Sequence, residues 1–461
     1  MTARRSVPAT NFRGPKAAAP LKHCLGWWVT LGGRIFRAGR PGARRGPIEA
    51  AIINDMIYLD NNATTPVHAD VFEAMRPFLQ DQFGNPSSAH RFGQQARQAV
   101  EQARYQVAQF VGCKAAEVIF TSGGTEADNA AILGLAAAPP PPRPGGPEKR
   151  TIITSAVEHS AVRETLEYLA KSGWKVVPIG VDTDGRLDMN ALASALRDPS
   201  VAFLSMMWAN NETGVIFDVA AVGMLARQHG VPFHVDAVQA AGKLPLHFAE
   251  QPIDLLVISA HKFHGPKGVG ALVVRRGTRW QPLLRGGPQE RQRRGGTENV
   301  AGIVGMGAAA ALAAKTLEDP QAQAAVAELR DRLERGVLAA IAQTQVNGDR
   351  VHRVSNTTNI SFAGLEAEAI LLLLSQQDIC ASAGAACASG SLEPSHVLQA
   401  MHLPERIAHG AIRFSLSRYN TRQEIDHTLA ALPAIIARLR EVLPVSGYRP
   451  DGMARPGRRG D

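Results

Sequence analysis

The sequence predicts an α/β fold built around a mostly parallel sheet, and three observations support it. From Met56 onward, short β-rich runs alternate with longer segments that have the apolar spacing of helices, which is the pattern of βαβ units. The chain has 461 residues, of which 45% are hydrophobic, so it can fill more than one core. Its four cysteines show no C-x-x-C spacing, which argues against a disulfide framework and against a zinc site.

The strands and helices of the first part are predicted in alternation. The predicted strands are 118–120, 151–154, 176–179, 201–205, 233–236 and 255–258. The predicted helices are 91–111, 127–137, 160–172, 188–197 and 218–229. A proline-rich run at 139–147 predicts a surface linker between two of these units.

The pattern changes near Ala310, where an Ala, Leu and Arg-rich stretch predicts a connecting helix that continues to about Ile341. A second unit follows this helix. It contains predicted strands at 358–362 and 412–416, a helix at about 365–376 and a final helix. The sequence therefore predicts two structural units joined by a long helix.

The formal charge of +9 is concentrated near the N-terminus. Residues 1–55 contain ten Lys or Arg and two acidic residues, and the remainder has 40 basic and 39 acidic residues. A nucleic-acid partner is therefore not predicted. The segment 1–55 is predicted to be a disordered extension or an upstream start, with an organelle transit peptide as the alternative, and 448–461 is also predicted to be disordered.

Few cysteines and the absence of an uninterrupted apolar stretch of eighteen residues predict a cytoplasmic protein with no membrane partner.

A lysine stands at the end of one predicted strand. Lys262 lies three residues after Ser259, which directly follows the strand 255–258. Open α/β sheets bind ligands at the carboxyl ends of their strands, although a solvated loop lysine is an equal alternative for this residue taken alone. The glycines of 265–270 lack the order of a phosphate loop and predict a turn.

An acid and an anion site are predicted at two further strand ends. Asp236 ends the strand 233–236, where it could hold the ring nitrogen of a pyridine cofactor protonated or simply cap a helix. Residues 121–126, which include Gly124 and Thr125, lie between a strand and a helix. Glycines, hydroxyl groups and a helix N-terminus together favour an anion site, although they also mark ordinary caps.

Two more strand ends carry polar side chains, His159 and Asn211. A lone histidine is more often structural than functional. However, five strand ends that each carry a side chain able to do chemistry predict one shared site better than any of them does separately.

One cysteine differs from the others in its surroundings. Cys387 lies in a stretch of Gly, Ala and Ser, where a thiol would be accessible as a nucleophile. Cys113 and Cys380 are predicted to be buried and inert. Arg413 stands among apolar residues of a predicted strand, so it requires a partner, either a substrate carboxylate or an internal acid.

In this order, the motifs resemble those of the cysteine desulfurases, which are fold-type-I pyridoxal-phosphate enzymes of the class V aminotransferase group. The resemblance extends from Tyr58 to about Pro444. The motifs that carry it are YLDNNATTP at 58–66, FGNPSS at 83–88, NNETG at 210–214, the pair at 261–262 and SLEPS at 391–395. The residues at 207–211, 261–268 and 284–287 are most similar to those of the nitrogen-fixation, NifS-like branch.

The resemblance implies a domain organisation. A large domain, 71–316, would contain a mostly parallel seven-stranded sheet and bind the cofactor. A smaller α+β domain, 56–70 and 317–447, would carry the Cys387 loop. The resemblance thus implies an α/β fold of fold type I, and a protein that acts as a homodimer.

The resemblance also implies a role for each site residue. Lys262 would bind pyridoxal 5'-phosphate covalently, Asp236 would pair with its ring nitrogen, Gln239 would neighbour its phenolic oxygen and His159 would stack on its ring. The phosphate would contact Gly124, Thr125, Ser259 and His261, and Thr297 would contact the phosphate of the other subunit. Asn211 and Arg413 would bind the substrate carboxylate, and Asn211 would also contact the cofactor.

The implied reaction removes sulfur from L-cysteine, leaves L-alanine and forms a persulfide on Cys387. The persulfide would pass to an iron–sulfur scaffold protein, with which Cys387 would transiently share an iron–sulfur cluster as a metal ligand. The loop departs from the family pattern, since Ala383, Ala385 and Ala388 replace residues that usually carry hydroxyls. The competing interpretations are selenocysteine lysis, transamination and a non-catalytic sulfur carrier.

Overall fold

The computed structural model describes residues 28–31, 34–37, 56–142, 144–383 and 393–442. The Cys387 loop, the predicted tail at 448–461 and most of 1–55 lie outside these ranges. The chain divides into two compact units, Met1–Asp55 and Met56–Asp461. In the first unit, β1 (Trp28–Leu31) and β2 (Arg34–Arg37) pair antiparallel. The sequence did not predict this hairpin, and the predicted disorder of the rest of 1–55 stays a prediction.

The second unit alternates strands and helices in its first half. These elements are β3 (Ile57–Tyr58), α1 (Ala69–Gln80), α2 (Arg91–Val111), β4 (Val118–Thr121), α3 (Gly124–Ala136), β5 (Thr151–Ser155), α4 (Ser160–Lys171), β6 (Lys175–Ile179), α5 (Met189–Ala195), β7 (Val201–Met207), α6 (Val219–Gln228), β8 (Phe233–Asp236), β9 (Leu255–Ser259) and β10 (Gly270–Val274). The later elements are α7 (Val300–Glu318), α8 (Pro320–Ala340), β11 (Thr344–Asn347), β12 (Thr357–Phe362), α9 (Ala367–Ser375), β13 (Ile379–Cys380), α10 (His396–Ala400), α11 (Glu405–Ala408), β14 (Ala411–Ser415) and α12 (Arg422–Val442).

Seven strands form one sheet in the order β4-β10-β9-β8-β7-β5-β6. Strand β10 is antiparallel to both neighbours, and the other pairs in the sheet are parallel. The residues of β4, β5, β7, β8 and β9 are buried, which is why these strands appear in the sequence as apolar runs. Their carboxyl ends meet at one edge, so the side chains that follow them are brought together.

The helices between these strands begin at side-chain caps that the sequence provides. His159 caps α4, Asp188 caps α5 and Asp218 caps α6, in each case by accepting a backbone N–H of the first turn. Helix α2 ends at Gly112, whose φ of 76° favours glycine. The predicted bounds of these helices are therefore close to the observed ones.

A second, smaller sheet is built from β11, β12 and β14 in antiparallel order, and β13 pairs parallel with β3. Buried apolar side chains of α8, β12, β14 and α12 form its core, among them Leu333, Phe362, Phe414 and Ile436. This is the predicted α+β part of the fold, whose chain segments come from both ends of the second unit. The predicted domain boundaries themselves stay a prediction.

The single connecting helix predicted to about Ile341 is wrong. Two helices, α7 and α8, occupy this stretch and are separated at Asp319. Pro320 opens α8 and the Asp319 carboxylate accepts the N–H of Gln321 at 2.9 Å, so the chain has both a proline start and a cap at this point.

Helix α7 is long and apolar enough, by length and composition, to cross a membrane. The sequence analysis predicted no such helix. Half of its apolar stretch is buried, and α7 packs against α1 and α2. A core helix passes the same test.

Candidate active site

A cavity of about 330 Å³ opens at the carboxyl edge of the seven-stranded sheet. Its walls come from the ends of β4, β5, β7, β8 and β9, from the segment after β3, and from β14. Ten of the predicted site residues line it: Gly124, Thr125, His159, Asn211, Asp236, Gln239, Ser259, His261, Lys262 and Arg413. The five strand ends therefore do share one site.

Lys262 ends a short 3-10 turn, Ala260–Lys262, that directly follows β9. Its Nζ donates to the backbone oxygen of Asn62 at 2.5 Å and to that of Ala63 at 2.9 Å. These two carbonyls hold the amine at the cavity wall. They belong to a segment 200 residues earlier in the chain, which the strand-end argument could not place.

Asp236 is the last residue of β8 and is 7% exposed. Its Oδ1 accepts the N–H of Val238 at 2.9 Å, as a capping side chain does, while the residue also lines the cavity. Burial raises the pKa of the Asp236 carboxyl, and the charges of His159 and Lys262 oppose that effect. A cationic ring nitrogen beside Asp236 would favour its ionised form.

Two further acids are buried near Asp236, and the sequence analysis did not single them out. Burial raises the pKa of Glu158 to about 8, although its Oε1 accepts the N–H of Met207 at 3.0 Å. Burial also raises the pKa of Asp128 well above its usual value, and the charges of Asp236 and Glu158 raise it further. Asp128 follows the glycines of α3 by one helical turn, which was its only signal in the sequence.

His159 begins α4 and its ring is fixed by the cap. Nδ1 accepts the N–H of Ala161 at 3.1 Å, so Nε2 carries the ring hydrogen. Burial lowers the pKa of His159, with the charges of Lys262 and Arg163 adding to the effect and that of Asp236 opposing it. The cap thus gives the ring a fixed orientation at the cavity wall.

The start of α3 and the end of β9 provide a place for an anion. Gly123 precedes α3 without a side-chain cap, which leaves first-turn N–H groups for a ligand. The Ser259 hydroxyl is buried and has no hydrogen-bond partner among the described residues. A Cβ on Gly124 would approach Val238 Cγ2 to 3.1 Å, so the glycine keeps this wall open. These observations fit a phosphate group.

Arg413 has an internal partner in the structure. Its Nη2 donates to Asp60 Oδ1 at 2.7 Å and its Nη1 donates to the Asn211 oxygen at 3.0 Å. Its Nε is buried and lacks a partner among the described residues. The internal ion pair that the sequence left open is therefore present, and the guanidinium still lines the cavity.

Two predicted residues are not part of this cavity as described. Thr297 is exposed and lines a separate cavity of about 100 Å³ together with Ser122 and Gly268. Cys387 lies outside the described residues, so its role stays a prediction. Of the two described cysteines, Cys113 has its pKa raised by burial to about 12, and burial also raises the pKa of Cys380.

The sequence was compared with known families and proteins. The class-V aminotransferase family model matches residues 57–428. The chain belongs to this family. A cysteine desulfurase 2 of Trichormus variabilis is 53% identical over 396 residues, which are 86% of this chain and 97% of that protein. The NifS cysteine desulfurase of Azotobacter vinelandii is 50% identical over 389 residues, 84% of this chain and 94% of that one.

A solved structure titled as a NifS-like protein has a TM-score of 0.76 with 38% identity, over 83% of this chain and 100% of that one. These findings confirm the resemblance to the cysteine desulfurases and the fold class predicted from the sequence. Membership of the class-V aminotransferases also confirms pyridoxal 5'-phosphate as the cofactor.

Three residues of this class-V aminotransferase that contact Lys262 or Arg413, and that the sequence analysis missed, have a common origin. Asn62 and Ala63 supply backbone oxygens, and Asp60 supplies a carboxylate to Arg413. All three lie within the motif at 58–66. The motif was visible, but it follows a two-residue strand and gave no sign of what its backbone would contact.

Proposed function

We propose that this protein is a pyridoxal-phosphate-dependent cysteine desulfurase of the NifS type. The observation that carries the proposal is the convergence of Lys262, Asp236 and the unpartnered Ser259 hydroxyl in one cavity. The chain shares 53% and 50% sequence identity, over 86% and 84% of its length, with two proteins named cysteine desulfurase.

The cavity residues fit the cofactor in an orderly way. Gly124, Thr125, Ser259 and His261 would hold the phosphate, Asp236 would pair with the ring nitrogen and His159 would cover a ring face. When bound to Lys262, the cofactor supplies an electron sink for the substrate's bonding electrons. Asp236 strengthens that sink because a carboxylate beside the ring nitrogen keeps it protonated.

Lys262 then serves as the group that moves a proton at the substrate. Its Nζ contacts two carbonyl oxygens, which would keep the amine at the cavity wall beside the substrate. Arg413 and Asn211 would hold the substrate carboxylate. Arg413 is already oriented by Asp60, so little side-chain freedom is lost on binding.

The sulfur step assigns Cys387 as the acceptor. Its thiolate attacks the sulfur of cysteine, a new S–S bond forms, and the bond between sulfur and the β-carbon breaks. The electron pair of that bond passes to the carbon framework, which takes up a proton and leaves as alanine. The outer sulfur of the resulting persulfide is then available to an acceptor.

We also propose the partners. The protein would act as a homodimer in which Thr297 reaches the phosphate site of the other subunit. Thr297 is exposed and does not line the candidate active site of its own chain, which supports this arrangement. An iron–sulfur scaffold protein would accept the sulfur in a cytoplasmic setting, with Cys387 as a transient shared ligand, and the NifS relatives favour a role in nitrogen fixation.

One incubation tests the desulfurase. The purified protein, loaded with pyridoxal phosphate, is given L-cysteine and a thiol reductant, and alanine and protein-bound persulfide are measured. We expect both products, and we expect Cys387→Ala to lose at least about 99% of each. Cys113→Ala, at a half-buried thiol that does not line the cavity, is the matched control. Parental alanine release by Cys387→Ala would contradict the mechanism.

The dimer has its own test. Mixing a Lys262→Ala chain with a Thr297→Ala chain yields hybrid dimers in which one site keeps both residues. If Thr297 acts across the interface, the mixture gains activity over either variant alone, and a protein that runs as a monomer in light scattering would exclude the arrangement.

A further inference from the structure

A second lysine lies directly behind the cofactor site, and neither the sequence motifs nor the proposed function assigns it a role. We propose that Lys243 is a positioning residue that fixes the side-chain amide of Gln239, so that Gln239 donates an N–H to the phenolic oxygen of the cofactor. The proposal rests on the proposed function, because it assumes that the cavity lined by Gln239 holds that cofactor.

The hydrogen bonds determine which way the Gln239 amide faces. Lys243 Nζ lies 2.7 Å from Oε1 of Gln239 and 3.1 Å from its backbone oxygen. A protonated Lys243 only donates, so the side-chain atom that it then contacts is the amide oxygen. At the other end, Nε2 of Gln239 donates to the Asn62 oxygen at 2.9 Å. A carbonyl only accepts, so this atom must be the nitrogen.

Reversing the amide would be costly at both ends. It would place the NH₂ group against the Lys243 ammonium and the amide oxygen against the Asn62 oxygen, which also accepts from Lys262. The observed orientation instead leaves the second Nε2 hydrogen for a cavity ligand. An oxygen that bears negative charge is the preferred acceptor for such a donor, and the phenolic oxygen of the cofactor has that character.

The charge of Lys243 adds a second effect on the site. The residue is half-buried, and burial lowers its pKa to about 7, with the charges of Lys262 and Arg413 lowering it further. Two more basic groups, His264 and Arg418, line a small cavity of about 60 Å³ on which Lys243 and Lys262 also lie. Because the repulsion is mutual, a positive charge on Lys243 disfavours a proton on the nitrogen of Lys262.

The experiment uses the holoenzyme of a Lys243→Met variant, which keeps the apolar stem and removes the donor. Two quantities are measured: the Kd of pyridoxal phosphate, and the pH midpoint of the visible absorbance of the cofactor bound to Lys262. We expect the Kd to rise about tenfold, about 1.4 kcal/mol at 25 °C, and the midpoint to rise by roughly 0.5 to 1 unit because a neighbouring cation is lost.

A double variant separates positioning through Gln239 from general damage. In a Gln239→Leu background, Lys243→Met should raise the Kd less than twofold, because the amide that it orients is already absent. Lys243→Arg keeps charge and donors, so it should return the midpoint to within about 0.3 unit of the parent. Lys171→Met, at an exposed lysine that ends α4, is the matched control and should leave both quantities unchanged.

Three results would overturn the inference. These are a parental Kd and midpoint in Lys243→Met, a full tenfold effect of Lys243→Met in the Gln239→Leu background, and failure of Lys243→Arg to restore the midpoint in a folded protein. If Lys243→Met does not fold, Lys243→Gln takes its place in the same cycle. Failure of the parent itself to bind pyridoxal phosphate at Lys262 would instead count against the proposed function.

Discussion

Two groups of charged side chains line the cavity or contact residues that line it, and they differ in origin and in the effect of burial. The acidic group consists of Asp128, Glu158 and Asp236, and the basic group of Lys243, Lys262 and Arg413. Burial raises the pKa of each acid. In the basic group it lowers the pKa of Lys243. For these residues burial therefore favours the uncharged form before any ligand binds.

The acidic and the basic group come from different parts of the fold and suit different ligand atoms. Asp236 ends β8, Glu158 follows β5 and Asp128 lies in α3. Asp128 and Asp236 line the cavity, and Glu158 accepts the N–H of Met207 in its wall. Lys262 and Arg413 are tied to distant segments, Lys262 to the Ala63 oxygen and Arg413 to Asp60, whereas Lys243 contacts Gln239 four residues earlier. The acids suit a cationic ring nitrogen, and the bases suit carboxylate and phenolic oxygens.

Loss of the cofactor lysine should have the largest effect on this arrangement. Of the residues in the two groups, Lys262 is the one that binds the cofactor covalently in the proposed function, and Lys262→Ala removes it. We expect alanine release to fall by at least about 10³-fold and the visible cofactor band to disappear. Lys267→Ala, at an exposed lysine nearby, is the control. A Lys262→Ala protein with parental turnover would show that the basic group does not carry the chemistry.

The acid beside the ring nitrogen should come next. Asp236→Asn removes the negative charge, and we expect kcat to fall by about 10² to 10³-fold, since the ring nitrogen is then less readily protonated. The matched control is Asp254→Asn. Asp254 accepts the N–H of Phe233 at the opposite end of β8, and burial raises its pKa as well. Equal losses of kcat in the two variants would indicate structural damage only.

Arg413 tests whether the basic group binds substrate or only Asp60. A lysine in its place cannot serve Asp60, the Asn211 oxygen and a carboxylate together, because it lacks the planar fork. We expect Arg413→Lys to raise the KM for cysteine about tenfold with a smaller change in kcat. An unchanged KM in steady-state assays, with a lowered thermal midpoint, would assign Arg413 to the internal ion pair alone.

The last effect concerns the stability of the folded protein and not its turnover: Glu158 and Lys243 should change the pH dependence of unfolding with opposite sign. Unfolded Glu158 loses its proton near its ordinary pKa, about 4.3, whereas the folded residue keeps it to about 8. The unfolded chain then binds fewer protons in this window, so the Glu158 contribution weakens stability as the pH rises from about 5 to 8. Lys243 acts in the opposite sense above pH 7, where the unfolded residue keeps its proton longer.

Glu158→Gln and Lys243→Met measure the two slopes. Gln at position 158 can still accept the Met207 N–H. We expect the Glu158→Gln variant to gain about 2 kcal/mol relative to the parent between pH 5.5 and 7.5 in urea unfolding of the apoprotein. Lys243→Met should leave that difference unchanged and alter the profile only at higher pH. A pH-independent difference for Glu158→Gln would mean that this acid is ionised in the folded protein.

Strand ends could be predicted from the sequence because buried parallel strands are apolar runs and their carboxyl ends share an edge. Thr125, His159, Asn211, Asp236 and Lys262 followed from that rule. Strand β10 did not, since Gly270 closes a glycine-rich turn and the short run after it is antiparallel. The oxygens of Asn62 and Ala63 were not predictable either, because backbone atoms carry no residue type.

The break between α7 and α8 was visible at Pro320, but continuous apolar periodicity on both sides of it favoured one helix. Apart from the family resemblance, nothing in the sequence indicated that Thr297 lies outside the candidate active site of its own chain. Local rules therefore recovered six of the seven strands and the polar edge, whereas contacts between distant segments had to come from the folded chain.

The reversed strand β10 has a consequence for the order in which the site can assemble. Ser259 and Gly270 pair across a hairpin that closes within a dozen residues, so the chain entropy lost in forming it is small. The carbonyls that hold Lys262 return from 200 residues away. Contacts of low sequence separation form readily during folding. The strand that precedes Lys262 can therefore form early, whereas the two hydrogen bonds from its amine form only once the segment of Asn62 and Ala63 has packed against it.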